Sequence, residues 1–586
     1  MRYYERELSY IRKALNDFAS RHPQQAAQLK LNQNNAEDPN ITRLLDGVAL
    51  LTAKTEQRLD EQLPELQQDL LSILYPGFLQ TRPSYAAIQL QPDVEKLQDT
   101  VYLPKGSILS LPLPDGHKAD FSTCDELTVY PLVIDNISAH AAPFNMPAPP
   151  QVHNAEAVIQ LRLACAVEDG LFSQLDIPQL DFYVRGFERR AASLIEILLQ
   201  QTVGISVTNV DASVSIPVAR EHLQCRIADP EFQWLPRFNN QFIGYDLLQD
   251  YFAYADKGAY FRLKQLQPVL AQIDEHVACI NIFVRHLPAE FLRLFNREVF
   301  CLHTVPALNL FESRGEPLRY DFSRLSIPVL ADASISSTVE AVAVLDVNEV
   351  RPDGEHPLSR LYQSRYRQQQ RPQWSSRQRW DEKGRLCLDL SVSHEQGQVK
   401  DSVVLSMNLL CSNGRAPCLM QPGVVAECQE AIDLPGELVL LTTPTAPRYP
   451  DLSGDLNWRC VALLNANFAS LLETDRPEAA LKQVLQLFCL DQSCRQADAI
   501  RRVEYRQLVA PVQVREQNIF SVGNEITITL ETELLSGQVA VFVQLLNGLY
   551  QQFCSFDRFV QLKIRRFGSD SHEIEFAKVH GSQLCL

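Results

Sequence analysis

The sequence predicts a multi-domain α+β protein, in which an N-terminal α-helical arm precedes β-rich mixed domains with short helices. From Met1 to Tyr75 apolar residues recur at helical spacing, whereas after Pro83 they alternate with polar residues as in half-buried strands. Later helical segments lie among strands without the regular alternation of a parallel sheet. The chain has 586 residues and exceeds the size at which one core stops growing, so we expect about two to four domains.

The first helix carries a narrow apolar seam. Its members are spaced by four and three residues, as in a two-stranded coiled coil: Tyr4, Leu8, Ile11, Leu15 and Phe18. We expect the helix to end at His22-Pro23, because the residue before a proline avoids the helical region. A seam this short is marginal alone in water, so it requires a partner inside or outside the chain.

A second helix is predicted to begin at Asp38-Pro39, where Asp38 can cap the first turn and Pro39 needs no hydrogen bond. Its apolar series is Ile41, Leu44, Leu45, Val48 and Leu51. Pro64 is expected to start a third helix, which Pro76-Gly77 ends. The pattern alone is compatible with two interpretations: a three-helix subdomain that packs only within this chain, or an arm that assembles with other chains.

The changes of pattern predict four parts: a helical assembly arm (1–83), a first β-rich α+β body (84–348), a basic polar loop or linker (349–385) and a C-terminal α+β domain (386–586). Alternation predicts strands that include Ala86–Leu90, Leu180–Val184 and Ile526–Leu530. Helical spacing predicts helices at Phe242–Ala255, Pro477–Leu490 and Gln538–Phe553, the last of which should be buried.

The composition is that of a globular protein, with 46% hydrophobic and 21% charged residues. A net charge of −17 disfavours bulk electrostatic binding to nucleic acid or anionic lipid. The first residues lack the apolar core of a signal peptide, and apolar runs fall short of the roughly 20 residues that cross a bilayer. We therefore expect a cytoplasmic protein.

Standard catalytic and metal-binding signatures are missing from the sequence. The fourteen cysteines contain no C-x-x-C pair, which predicts buried, reduced thiols. Cys301 and His303 are close, but a zinc site needs a second pair of ligands. We predict no enzyme, no catalytic residue, no cofactor and no metal, while an active site that converges only in the fold remains open.

The segment Ser359–Arg385 is the clearest break in composition. It holds eight Lys or Arg against two Asp or Glu, interleaved with Tyr362, Tyr366, Trp374 and Trp380. A solvated loop or a patch that faces an acidic partner is the commoner explanation. Basic residues with stacking aromatics also suit single-stranded nucleic acid, so a nucleic-acid-binding scaffold is the alternative function.

Motifs along most of the chain resemble those of one family, TssF (also called VasA or ImpG) of bacterial type VI secretion baseplates. They are Tyr3–Leu8, Leu63–Leu66 and Leu74–Pro76; Phe242–Leu248 with Asp250–Phe252; Pro306, Asn309–Phe311 and Glu316-Pro317; Cys411–Gly414 with Pro417; Thr443–Thr445, Trp458 and Leu463–Asn465; and Gly523–Ile526 with Phe542–Phe559. The departures are His303, Ala307-Leu308, an Asp for the usual Glu at Asp250, and the basic segment.

The resemblance implies a fold similar to wedge proteins of contractile-tailed phages and a scaffold rather than an enzyme. In this family two TssF-like chains join one TssG in each wedge around the VgrG spike. TssK links the wedge to the membrane complex at the inner membrane, and TssE connects it toward the sheath. The mechanism would be mechanical, since a rearrangement of packed interfaces releases contraction.

Together, the pattern and the resemblance favour the assembly arm. We expect the seam of the first helix, with Leu44, Val48 and Leu51 of the second, to bind TssG and a second TssF copy.

Overall fold

The computed structural model describes residues 2–24, 39–149, 152–167, 169–187, 191–237, 242–331, 338–361, 372–381, 384–393, 402–452, 454–464, 476–489, 493–514, 517–569 and 572–581. These form two compact units. Unit 1 comprises Met1–Leu74 with Asp451–Val461, and unit 2 comprises Tyr75–Pro450 with Ala462–Leu586. The boundaries predicted at 83, 348 and 385 remain predictions.

About 28% of the chain is helix and 38% is strand, which confirms the predicted α+β class. The helices are α1 (Arg2–Arg21), α2 (Pro39–Leu74), α3 (Ala191–Gln200), α4 (Ile243–Ala253), α5 (Gln267–Leu270), α6 (Gly454–Leu464), α7 (Pro477–Phe488), α8 (Arg495–Ala499) and α9 (Val539–Phe553). Short 3-10 turns lie at Pro76–Leu79, Phe172–Gln174, Arg220–His222, Arg226–Ala228, Ala255–Ala259, Phe291–Arg293, Ala416–Leu419 and Thr532–Leu535.

In unit 1, α1 packs against α2. Helix α1 ends at Arg21, immediately before His22-Pro23, as predicted. The predicted restart at Pro64 is wrong, because α2 is continuous over 36 residues and about 54 Å. Pro64 removes one backbone hydrogen bond, while the turns on both sides keep theirs. The predicted cap Asp38 lies outside the described residues.

The first sheet of unit 2 is a closed barrel in the order β1-β15-β4-β3-β25-β26, and pairing of β26 with β1 closes it. Its strands are β1 (Tyr85–Pro92), β3 (Ile108–Pro112), β4 (Lys118–Thr123), β15 (Thr304–Leu308), β25 (Val425–Cys428) and β26 (Gly436–Leu440). Leu90, Leu109 and Phe121 are fully buried in the barrel core. Alternate residues of each strand point inward, so strands distant in sequence share one core.

Two further sheets lie between β4 and β15 in sequence. The orders are β10-β9-β13-β7-β6 and β11-β12-β8-β14, and β2 pairs with β5 separately. The separate pair consists of β2 (Val101–Leu103) and β5 (Leu127–Val129). The strands of the two larger sheets are β6 (Leu132–Ala141), β7 (Ala157–Cys165), β8 (Gln179–Val184), β9 (Thr202–Thr208), β10 (Ser215–Val218), β11 (Leu223–Cys225), β12 (Tyr260–Lys264), β13 (Val277–Val284) and β14 (Phe300–Leu302).

A β-sandwich follows the barrel. One sheet has the order β16-β24-β19-β20 with β17 on β24, and the other has the order β18-β23-β22-β21. The strands are β16 (Phe311–Arg314), β17 (Leu318–Tyr320), β18 (Ile327–Pro328), β19 (Glu340–Arg351), β20 (Gly354–Pro357), β21 (Ser359–Arg360), β22 (Gln373–Trp380), β23 (Leu386–Ser393) and β24 (Val403–Ser412). Val347, Leu390 and Leu405 meet in the shared core.

Strand β22 corrects the prediction of a basic loop, because Gln373–Trp380 pairs with β23 along its whole length. Trp374 lies in the sandwich core, while Arg379 forms an ion pair with Asp389 of β23 at 3.0 Å. With few apolar residues, β22 shows no clear apolar alternation, so its sequence looked like a solvated segment.

The last sheet has the order β27-β28-β29-β30, with β31 on β29. Its strands are β27 (Ile500–Val514), β28 (Gln517–Leu530), β29 (Arg558–Arg566), β30 (His572–Glu575) and β31 (Val579–His580). Strands β28 and β29 are parallel, and α9 provides the crossover between them. Helix α9 is largely buried, as predicted, and packs on α4.

A fully buried ion pair anchors the end of α4. Asp250 accepts hydrogen bonds from Lys257 Nζ at 2.6 Å and from the Trp234 and Leu235 backbone N–H groups at 3.0 and 3.3 Å. Neither charged side chain is exposed to solvent. Because an unpaired charge is costly at such a site, the three donors hold the 234–235 segment and the turn after α4 against the helix.

A second buried network joins Tyr75 to α4. The Tyr75 hydroxyl lies 2.8 Å from Gln249 Oε1 and 3.2 Å from Asp246 Oδ1, and Gln249 Nε2 donates to the Gly77 carbonyl at 2.7 Å. Burial raises the pKa of the Asp246 carboxyl to about 6, although nearby donors favour its ionised form.

A pair of asparagines connects the barrel to the sandwich. Asn309 Nδ2 donates to Asn413 Oδ1 at 2.8 Å, and the Asn413 backbone N–H donates to Asn309 Oδ1 at 2.6 Å. Asn309 Nδ2 also donates to the Asp120 carbonyl of β4 at 2.8 Å. Both residues belong to the family-like motifs, and their contacts indicate a structural role for those motifs.

Replacing Lys257 should destabilise unit 2 strongly. Lys257→Met leaves Asp250 buried without its counter-charge, so we expect the free energy of unfolding to fall by about 3–5 kcal/mol. The double variant Asp250→Asn with Lys257→Met should regain much of this loss. Urea unfolding followed by tryptophan fluorescence measures both effects. Lys264→Met, at an exposed lysine, is the control, and an equally small effect of both single variants would contradict the prediction.

The stability of unit 2 should depend on the ionisation of Asp246. Because its folded pKa lies above the ordinary 3.8, this contribution is full below about pH 4 and is lost as pH rises to about 6. Asp246→Asn should therefore gain up to about 3 kcal/mol relative to the parent across this range. Unfolding midpoints at a series of pH values test this. The exposed Asp433→Asn control should show no such gain, and a flat difference for Asp246→Asn would contradict the assignment.

Candidate assembly surface

The predicted seam of α1 is half-buried along its whole length. Tyr4, Leu8, Ile11, Leu15 and Phe18 are each neither fully covered nor fully exposed. Partial desolvation and the Asp46 carboxylate of α2 raise the pKa of the Tyr4 hydroxyl, and Arg6 forms an ion pair with Glu56 of α2. The seam is therefore partly covered by other residues of the chain, and the rest of its apolar surface is exposed to solvent.

The predicted apolar residues of α2 form an exposed row, called here the α2 stripe. Its members Leu44, Val48 and Leu51 are 68%, 45% and 68% exposed. Ala49 and Ala53 are buried, and they lie roughly 150° away around the helix at 3.6 residues per turn. In the first half of the helix, small residues are therefore buried and larger apolar ones are exposed, whereas Leu71 near its C-terminal end is fully buried.

The structure divides the predicted partner-binding residues into two surfaces of different character. The seam belongs to the contacted face of α1, whereas the α2 stripe is an open apolar surface of the kind that marks protein interaction sites. Sequence reasoning missed other exposed apolar residues of α2, namely Leu50, Leu66, Ile73 and Leu74. Apolar periodicity cannot distinguish a face that packs inside the chain from one that awaits a partner.

Several described side chains of the basic segment make contacts within the sandwich or within the segment itself. Trp374 is buried and donates from Nε1 to the Leu358 carbonyl at 3.2 Å, and the Arg360 guanidinium lies 5.4 Å from its ring centroid. Arg385 pairs with Asp381 at 3.7 Å. Tyr362 and Tyr366 lie outside the described residues. Trp380 is 40% exposed, and its ring centroid lies 5.7 Å from that of Tyr449. The described part of the segment thus offers one partly open tryptophan ring, whereas binding of single-stranded nucleic acid uses several exposed rings in a row, so this part does not favour the nucleic-acid alternative.

The titratable groups that stood out in the sequence do not form a reactive constellation. Burial raises the pKa of the Cys301 thiol to about 11 and lowers the pKa of His303 to about 4, so both are neutral near pH 7. Across the described ranges, no three His, Cys, Asp or Glu side chains converge as metal ligands. The described cysteines form no disulfide with one another and are buried or half-buried, and Cys585 lies outside the described residues.

Among the helices of the described ranges, none is both long enough and apolar enough to cross a membrane.

The sequence profile of the type VI secretion system TssF family matches residues 1–583. Type VI secretion system component TssF1 of Pseudomonas aeruginosa (strain PAO1) is 25% identical over 584 residues, which cover 94% of this chain and 93% of that protein. These matches confirm the family indicated by the motifs.

Two solved structures share the fold. A chain of the type VI secretion system TssK-TssF-TssG baseplate subcomplex superposes with a TM-score of 0.72 at 19% identity, covering 92% of this chain and 99% of that chain. A chain of the baseplate complex from the type VI secretion system superposes with a TM-score of 0.58 at 20% identity, with both chains fully covered. With a family profile that spans almost its whole length, this chain belongs to the type VI secretion system TssF family.

Proposed function

We propose that this chain is a structural subunit of a type VI secretion baseplate wedge and that it assembles with TssG and TssK proteins. The observation that carries the proposal is an exposed apolar helix face, the α2 stripe, in a chain that matches the TssF family from end to end. The similar fold in a TssK-TssF-TssG subcomplex supports the same assignment. The function is scaffolding, because the chain offers docking surfaces where an enzyme would offer reactive groups.

The arm would act by sharing its open surfaces with helices of other chains. The α2 stripe offers three large side chains, and burying each contributes roughly 1.5–3 kcal/mol before the cost of ordering the partners. The half-covered seam of α1 offers further area. We infer that helices of TssG and of a second copy of this chain complete the packing of α1 and α2.

The finer organisation follows from the same proposal. Two copies of this chain would join one TssG, and the wedge would contact the VgrG spike, TssE toward the sheath, and TssK. The protein would then work in the cytoplasm, docked at the inner membrane through the membrane complex. Contraction would be released when packed interfaces change from one arrangement to another, without a chemical step.

Polar substitution of the α2 stripe should weaken assembly without unfolding the arm. We expect Leu51→Asp, and more strongly Leu44→Asp with Leu51→Asp, to reduce the recovery of co-expressed TssG more than tenfold, because a buried apolar contact becomes a buried charge. Affinity purification through a tag on this chain measures the recovery, and circular dichroism checks the helix content.

The matched control is Leu50→Asp. Leu50 is 54% exposed and is the chain neighbour of Leu51, but its side chain points about 100° away around the helix. The control should retain TssG. Equal loss for Leu50→Asp and Leu51→Asp, or full retention by the double variant, would contradict a role for the stripe.

Substitution of the seam tests the other surface. Leu8→Asp, Ile11→Asp and Leu15→Asp together should abolish co-purification with TssG, because charges replace the apolar core of the expected helix bundle. The near-ultraviolet circular dichroism of the β-rich body should stay as in the parent. Normal recovery of TssG by this triple variant would show that the seam does not contribute to assembly.

A further inference from the structure

Strand β27 has a long open edge. It pairs with β28 along one side and stands at the end of its sheet, and no described strand pairs with its other side. Tyr505, Arg506 and Gln507 in the middle of this strand are exposed. An uncovered edge presents unpaired N–H and C=O groups, which makes it a template for a strand from another chain.

The position of Pro511 shows which backbone groups face outward. Pro511 has no N–H, yet it lies within the regular ladder opposite Phe520 of β28. A proline is accommodated in an edge strand where its nitrogen faces away from the neighbouring strand. Every second residue then shares that orientation, so Tyr505, Gln507 and Val509 direct their backbone groups to the open side.

One face of the same hairpin is apolar and exposed. Val509 is directly opposite Val522, and Pro511 is opposite Phe520. Val509, Phe520 and Val522 are 64%, 79% and 41% exposed. Toward the base of the hairpin, Ile526 and Ile528 of β28 lie on the same face and are buried. The hairpin therefore extends an apolar surface beyond the core, where a neighbouring strand could continue it.

The opposite face of β27 carries two exposed arginines in the first half of the strand. Its basic part is the stretch with the exposed Arg502 and Arg506, which have Glu504 between them, whereas Ala510 and Val512 of the same face are buried. Glu525 of β28 is opposite Arg506 and forms an ion pair with Lys563 at 2.8 Å. Arg502 pairs with Glu504 at 2.8 Å, and Arg506 makes no ion pair with a described residue. An incoming strand would place its own alternate side chains beside these arginines. Acidic residues at those positions would be favoured, and lysines would be repelled.

We propose that the open edge of β27 binds an extended segment of another protein, in which apolar and acidic residues alternate. Backbone hydrogen bonds to Tyr505, Gln507 and Val509 would supply affinity, as in other strand-addition interfaces. The apolar side chains would lie against Val509 and its exposed neighbours, and the acidic ones beside Arg502 and Arg506. These residues belong to unit 2, whereas the α2 stripe belongs to unit 1.

The test uses the full-length protein and a defined probe. The probe is a capped peptide in which Val and Glu alternate, about eight residues long as natural strands are. We expect it to bind at least about tenfold more tightly than the same peptide with Lys in place of Glu, measured by fluorescence anisotropy. Methylation of the peptide's backbone nitrogens should abolish binding, because it removes the donors that face β27.

Variants of β27 separate the backbone contribution from the charge contribution. Gln507→Pro removes an outward donor at a position where proline is tolerated, and it should weaken binding at least about tenfold, while the control Gln507→Ala should not. Arg506→Glu should weaken binding of the acidic peptide and strengthen binding of the lysine peptide. If Gln507→Pro misfolds, Arg506→Glu still decides the charge preference.

Residue-resolved hydrogen exchange gives the decisive signature. With the acidic peptide, the amides of Tyr505, Gln507 and Val509 should gain protection, whereas those of Arg506 and Leu508 should not change because β28 already holds them. No binding by the acidic peptide, or protection without this alternation, would overturn the proposal. Concentration-dependent protection without peptide would also overturn it, because the occupant would then be a second copy of this chain.

Discussion

Buried polar groups must find partners inside a protein, and the arrangement of unit 2 depends on one such pair above all. Asp250 and Lys257 are both removed from solvent and are 2.6 Å apart. Two backbone N–H groups of the 234–235 segment also donate hydrogen bonds to the Asp250 carboxylate, so this one side chain connects α4 to that segment. Breaking either side would leave an uncompensated charge in the core.

The helical arm differs from this buried site, because it leaves large apolar side chains of α2 exposed to solvent. Helix α2 turns the small residues Ala49 and Ala53 inward and the larger members of the α2 stripe outward. A helix that served only its own unit would gain from the reverse arrangement. An apolar helical surface left open in a chain that also has a well-packed β-rich body is what a subunit of a larger assembly requires, and it supports the scaffold role proposed above.

Much of the fold was predictable because it depends on local periodicity. The strands at Ala86–Leu90 and Ile526–Leu530 and the helix at Gln538–Phe553 were found from the spacing of apolar residues, and the structure confirms them. Local reasoning failed where a tertiary contact outweighed a local signal. Strand β22 has few apolar residues and owes its conformation to β23, and α2 continues through Pro64 because the turns around it stay bonded.

The sequence by itself determined the class of the protein, several of its helices and strands, and the family to which the motifs belong. These follow from the spacing of apolar residues and from residue identities, which can be read directly from a single sequence. Only the tertiary structure decided that β1 and β26 close one barrel, that Asn309 meets Asn413, and which face of α2 is exposed. Such pairings join segments far apart in sequence, and their free energy depends on packing and desolvation that no local pattern records.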